Sequence, residues 1–293
     1  MNSRRNFLKT AGAAFIASSI KPSEMSYLFE KNTSMPQLSV QLYTIREEIS
    51  KNPTKALQQL KEIGFEWVET AFWPEGISLA EGGKWLKDAG LKVSSSHIEL
   101  TTDNLEKLMV ETASAYDCKH LIWHGWPEDS LYQSLSGTKS LIARYNQAAE
   151  IAERHGLHFG LHNHWWEYMI KNEDLFVYEI LLKELNPAIF FEMDAYWVKV
   201  AGQDPEKIAK KIGDRLKFIH VKDGPAQWND QLAIDNPDPM TAVGKGTMDY
   251  SKIIKAANGH PDWLVVEMDK TAGDVFTALK ESFDYIMKNQ WVS

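Results

Sequence analysis

The sequence predicts an α/β fold in which a single domain closes as a (β/α)8 barrel, and three observations carry that prediction. Eight short apolar runs alternate with helix-like segments, and no shift of composition marks a second domain. The chain has 293 residues, 44% hydrophobic and 25% charged, which suits one barrel of about 250 residues and a leader. The turn after the first run reads Tyr43-Thr44-Ile45-Arg46, without the glycines that an open, doubly wound nucleotide-binding sheet requires.

The leader covers residues 1–22. Ser3-Arg4-Arg5-Asn6-Phe7-Leu8-Lys9 precedes an apolar, small-residue run from Thr10 to Ile20, the pattern of a twin-arginine export signal. The run is too short to span a bilayer, and no lipid-attachment cysteine follows it. The expectation is therefore a soluble periplasmic protein with no membrane contact once the leader is removed. Setting aside the four basic residues of positions 1–23 takes the formal charge from −8 to −12. So acidic a body disfavours nucleic acid as a partner. Cys118 is the only cysteine, which excludes an intramolecular disulfide.

Along the barrel, residues 36–291, strands are expected near Leu38–Tyr43, Trp67–Ala71, Lys92–His97, Lys119–His124, Phe159–His164, Ala188–Asp194, Leu216–Val221 and Trp263–Glu267. The helices between them have legible ends. Asn52-Pro53 opens the first, Leu57, Leu60 and Ile63 form its apolar stripe, and Gly64 stops it. Gly90 and Gly156 stop two others, Asp204-Pro205 opens another, and Asp249 caps the one before the last strand.

In such a barrel the C-terminal strand ends share one mouth, where catalytic groups collect. Here those ends carry His97, His124, His162 and His164, Asp194, His220 and Glu267. A lone histidine at a strand end is more often a satisfied core or rim residue than a ligand, but several converging on one mouth reverse those odds. Imidazoles and carboxylates without thiolate suit one divalent ion: manganese, zinc, magnesium or cobalt. Manganese is favoured, because export in the folded state lets it bind before the protein meets zinc or copper outside.

These motifs together resemble the xylose isomerase-like TIM-barrel family, the sugar phosphate isomerase/epimerase group, over essentially the whole mature chain. The matching stretches are His162-Asn163-His164 with Glu167, Glu192-Met193-Asp194-Ala195-Tyr196-Trp197 with Gly202-Gln203-Asp204-Pro205, His220-Val221-Lys222-Asp223, Gly244-Lys245-Gly246-Thr247-Met248-Asp249-Tyr250, and Val266-Glu267-Met268-Asp269. The resemblance implies a divalent ion held by a carboxylate from strand five, Asp194, His220 and Glu267. The chain departs from the pattern at strand five, where the family's glutamate is His162. Either His162 is the ligand, which its fixed place at a strand end favours, or Glu167 folds back to supply a carboxylate.

The chemistry implied is proton abstraction next to a carbonyl by Glu267, with Glu167 as second acid/base or with one-sided abstraction. The product would come from isomerisation, epimerisation or elimination. His97, His124, His164 and Lys222 are expected on sugar oxygens and Trp197 on a sugar face. The segment from Lys222 to Met248 reads as a lid, and its Gly244-Lys245-Gly246 is disfavoured as a phosphate cradle because no run of backbone donors precedes a helix there. Export and an aromatic mouth with few Arg or Lys residues point to an unphosphorylated keto-sugar or keto-glycoside. Two other classes are a DNA-repair endonuclease, against which charge and leader count, and a sugar-binding protein without catalysis.

Overall fold

A computed structural model describes residues 35–293 except 102, 127, 234, 235 and 260. The leader expected at 1–22 lies outside the described residues. Eight parallel strands close the barrel: β1 Gln37–Gln41, β2 Trp67–Thr70, β3 Lys92–Ile98, β4 His120–Trp123, β5 His158–His162, β6 Phe190–Asp194, β7 Leu216–Val221 and β8 Trp263–Val266. Closure is between the first and last, with Gln37 opposite Trp263 and Val40 opposite Val266. Each strand begins and ends within two residues of its expected position.

The helix ends follow from the capping chemistry read in the sequence. The Asn52 side chain accepts the Lys55 N–H at the start of helix Pro53–Ile63, and Asp204 and Asp249 do the same for helices Pro205–Ile212 and Tyr250–Ala256. Gly64, Gly90 and Gly156 each adopt positive φ just past a helix. An antiparallel hairpin pairing Lys171–Asn172 with Leu175–Phe176 was not anticipated. Two-residue strands are too short to show a period-2 pattern.

Side chains alternate in and out along each strand, so the barrel interior is stacked in layers. At the N-terminal end Ile122, Phe190, Phe218, Trp263 and Val265 form a closed apolar plug. Two residues further along the same strands, Phe190 gives way to Glu192 and then Asp194, and Phe218 to His220 and then Lys222. The interior thus changes from apolar to ionisable toward the mouth, while the helices pack a separate, larger apolar layer around the outside.

Candidate active site

The mouth holds a cavity of about 300 Å³ lined by Tyr43, Ala71, Phe72, His97, His124, Trp126, His162, His164, Lys222, Glu267 and Asp269. Under its floor one ligand atom each from His162, Asp194, His220 and Glu267 lies within 4.8 Å of the others. His220 Nδ1 is 2.7 Å from Glu267 Oε2 and 3.2 Å from His162 Nε2, and His162 Nε2 is 3.5 Å from Asp194 Oδ2.

Local structure fixes how these atoms present themselves. His162 Nδ1 is 3.1 Å from the His124 carbonyl, an acceptor, so Nδ1 carries the proton and Nε2 keeps its lone pair for the centre. Asp194 caps helix Ala195–Val200 by accepting the Trp197 N–H on Oδ1 at 2.9 Å. That bond turns Oδ2 inward, where it is buried and satisfied by no hydrogen bond of good geometry, although the Lys222 ammonium stands 2.9 Å away. The Asn163 amide donates to the Asp194 carbonyl and accepts the Asp194 N–H, locking the ends of β5 and β6 together. A defined tautomer, an inward-facing carboxylate oxygen and two further ligand atoms fit a divalent ion.

Lys222 is the unusual member. Its ammonium is 1% exposed and stands 2.8 Å from both Glu267 Oε2 and Asp269 Oδ2 in addition to its contact with Asp194. Burial alone would lower its pKa, but Asp194, Asp269 and Glu267 hold it well above the usual value. Burial likewise opposes ionisation of Glu267, yet Lys222 and His220 keep that carboxylate well below its ordinary range. Asp269 feels burial more than Lys222 and rises to about 6. Burial and the neighbouring His162 drive His164 well below 6.5, which leaves a neutral ring facing the cavity.

Two expected residues stand away from the mouth. Trp197 is 1% exposed and packs on Trp165, 4.8 Å between ring centroids, with the Lys222 ammonium 5.5 Å from its ring. The helix starting at Ala195 turns position 197 back into the core, so Trp197 supports Lys222 from behind and does not itself line the cavity. Glu167 sits in the short helix Trp166–Met169, where its carboxylate accepts the His164 N–H at 3.0 Å. It lines a separate cavity of about 20 Å³ with Trp123, Tyr132 and Tyr168. Burial raises its pKa to about 8, against the lowering effect of the backbone N–H groups of Glu167 and His164.

Two carboxylates escaped sequence reasoning. Glu69 and Glu192 are fully buried in the barrel beneath the mouth. Glu69 accepts hydrogen bonds from Gln41 at 2.7 Å and Ser95 at 2.5 Å, and Glu192 Oε2 lies 2.7 Å from His97 Nε2. Burial alone would lower the His97 pKa, but Glu69 and Glu192 raise it to about 10. The available signal was parity: Glu192 shares a strand face with Asp194, two residues on.

The segment after β7 is tied shut by one side chain. Asp223 accepts the N–H groups of Gly224 and Met248 on Oδ1 and those of Gly244 and Gly246 on Oδ2, all at 2.9–3.1 Å. A Cβ at Gly246 would stand 2.1 Å from that carboxylate, so only glycine fits. The glycine N–H groups that would cradle a phosphate are already taken.

Residues 57–289 match the model of the xylose isomerase-like TIM barrel family. The chain belongs to that family. Among curated relatives, it is 25% identical over 155 residues to an inosose dehydratase of Klebsiella pneumoniae, 49% of this chain and 50% of that one. The match thus spans about half the length of its curated relatives. Among solved structures of this barrel type, a sugar phosphate isomerase/epimerase of Parabacteroides distasonis superposes with a TM-score of 0.72 at 24% identity, over 88% of this chain and 100% of that one. A D-allulose 3-epimerase of Methylomonas sp. gives 0.61 at 14% identity, over 88% and 99%. At these identities the structural matches establish the barrel fold alone.

Proposed function

We propose that this chain is a divalent-metal-dependent enzyme that moves a proton next to the carbonyl of an unphosphorylated keto-sugar or keto-glycoside, as an isomerase or epimerase. The observation that carries the reading is the convergence of His162, Asp194, His220 and Glu267 on one point under a concave mouth. Manganese is the favoured ion. An ion held by these four residues would polarise the carbonyl and an adjacent hydroxyl and so acidify the α-proton.

The remaining roles fall to the chain's own groups. Glu267 reaches the cavity as an ionised carboxylate, the form a general base needs. The Lys222 ammonium faces the same space and offsets charge growing on a substrate oxygen. His97, His124 and His164 supply hydrogen bonds to hydroxyls, and Phe72 and Trp126, 47% and 41% exposed at the rim, offer faces for sugar C–H groups. The occupied glycine N–H groups of 244 and 246 argue against a phosphorylated substrate.

One observation favours a second reading. Epimerisation between two carboxylates needs one on each side of the substrate; Glu167 stands outside the cavity, and the two carboxylates that line it, Glu267 and Asp269, both meet the Lys222 ammonium at 2.8 Å and so share one side. One-sided abstraction suits isomerisation, or elimination by a lyase, and inosose dehydratases are among the relatives.

Proton NMR of keto-sugars, keto-glycosides and their phosphates in deuterated water tests the assignment, since a non-catalytic sugar binder would never exchange the α-proton. Purified wild type is expected to exchange it only with a divalent ion present, and His220→Ala is expected to lose both bound ion and exchange. Full metal content in His220→Ala would mean that the ligand set is wrong. Exchange confined to the phosphates would overturn the substrate.

Twin-arginine export to the periplasm is the companion proposal, resting on Arg4-Arg5 ahead of a weakly apolar run. Arg4→Lys combined with Arg5→Lys is expected to leave the protein in the cytoplasm in a cell fractionation. Unchanged export of that double variant would refute it.

A further inference from the structure

Beneath the mouth, Glu69, His97, Glu192 and His220 form a second group whose ligand atoms lie within 4.8 Å of one another. We propose that this group is a second divalent-cation site inside the barrel, and that the His220 ring, as an imidazolate whose ring protons pass to solvent when the ions bind, bridges it to the ion at the mouth. The inference rests on the reading of the mouth as a metal site.

The sheet is deformed to build this group. Two register shifts interrupt the barrel's strand pairing: β2 with β3 between Val68 and Glu69, and β6 with β7 between Phe191 and Glu192. Each shift passes over one residue of the neighbouring strand, Ser94 and Lys217 respectively, and each falls immediately before one of the two acids. Bulges of this kind re-aim side chains beside functional sites. Both carboxylates end fully buried among imidazoles, where two apolar residues would have packed at lower cost.

The spacing suits an ion. His97 Nε2 is 2.7 Å from Glu192 Oε2 and 3.1 Å from Glu69 Oε1. His220 Nε2 is 2.8 Å from Glu69 Oε1 and 3.2 Å from Glu192 Oε2. Ligand bonds of about 2.0–2.2 Å in a tetrahedron put neighbouring ligand atoms roughly 3.3–3.6 Å apart, so a few tenths of an ångström of outward movement admits one. Glu192 Oε1 has no hydrogen-bond partner although it is buried, which an ion taking both oxygens would remedy. Two imidazoles and two carboxylates are a donor set for zinc, manganese or cobalt. His97 also lines the mouth cavity, which gives an ion a way in.

His220 joins the two groups because its nitrogens point opposite ways, Nδ1 to His162 and Glu267 and Nε2 to Glu69 and Glu192.

The test strips the purified full chain with chelator, reloads it with manganese(II) alone, and measures ions per chain by elemental analysis and their coupling by electron paramagnetic resonance. Two ions per wild-type chain with an exchange-coupled spectrum are expected. Glu192→Gln is expected to keep one ion with an isolated six-line spectrum. One ion in both wild type and Glu192→Gln overturns the second site and leaves the mouth site standing. Two ions in both also overturns it, since the second ion then lies elsewhere. No ion in wild type removes the mouth reading and this inference with it. Circular dichroism checks folding, and His97→Asn provides the same comparison if Glu192→Gln does not fold.

Discussion

Replacing Glu267 by glutamine is expected to lower kcat for α-proton exchange by about 10²–10⁴-fold, the usual contribution of a positioned general base. Glutamine keeps an oxygen where Glu267 Oε2 meets His220 and Lys222 at 2.7 and 2.8 Å, so the surrounding structure should survive. What it loses is the ability to take a proton. Metal content measured beside the exchange rate separates the two roles proposed for this residue. Retained ion with lost exchange identifies the base, whereas lost ion with lost exchange identifies only a ligand. Equal exchange by variant and wild type would move the base away from Glu267 and direct attention to Glu167.

Glu167→Gln is expected to change how stability depends on pH. In the folded chain burial holds the Glu167 proton up to about pH 8, whereas an unfolded chain releases it near pH 4.3. Between these values the native state binds more protons than the unfolded state, so this group makes stability fall as pH rises through that window. Release of this one proton by the unfolded chain across nearly four pH units amounts to about 5 kcal/mol. Glutamine carries no such proton. Thermal unfolding of the two proteins should therefore diverge from pH 5 to pH 8, with the variant gaining relative to wild type, and then run parallel. Parallel curves over the whole range would show that Glu167 titrates as an ordinary surface acid.

Most of the fold was legible because its signals are local. Asn52-Pro53, Asp204-Pro205 and Asp249 act within one helical turn, and they cap the helices they were read to cap. At the mouth, the strand-end rule brought His162, Asp194, His220 and Glu267 together, because the end of a strand in a closed barrel is a point in space as well as in sequence. The rule failed where the chain turned immediately afterward. Trp197 follows Asp194 by three residues, which reads as rim, but a helix that begins at Ala195 carries that position back under the mouth. Glu167 is carried off in the same way by the turn at Trp166. Glu69 and Glu192 went unread for a different reason. Each stands short of its strand end, Thr70 or Asp194, where a rule about ends does not reach, and only the parity of Glu192 with Asp194 marks one of them as inward-facing.

The Asp223 carboxylate, with its four backbone N–H donors, bears on how quickly and how tightly the mouth engages a ligand. Ordering a loose segment during binding costs roughly 1–2 kcal/mol per residue in conformational entropy, and that cost is subtracted from affinity. Here the turn at 244–248 is already pinned to the end of the seventh strand. Its ordering belongs to folding and is not charged against binding. Association should accordingly follow simple one-step kinetics, with an observed rate rising linearly with ligand concentration and no plateau from a slow ordering of this turn.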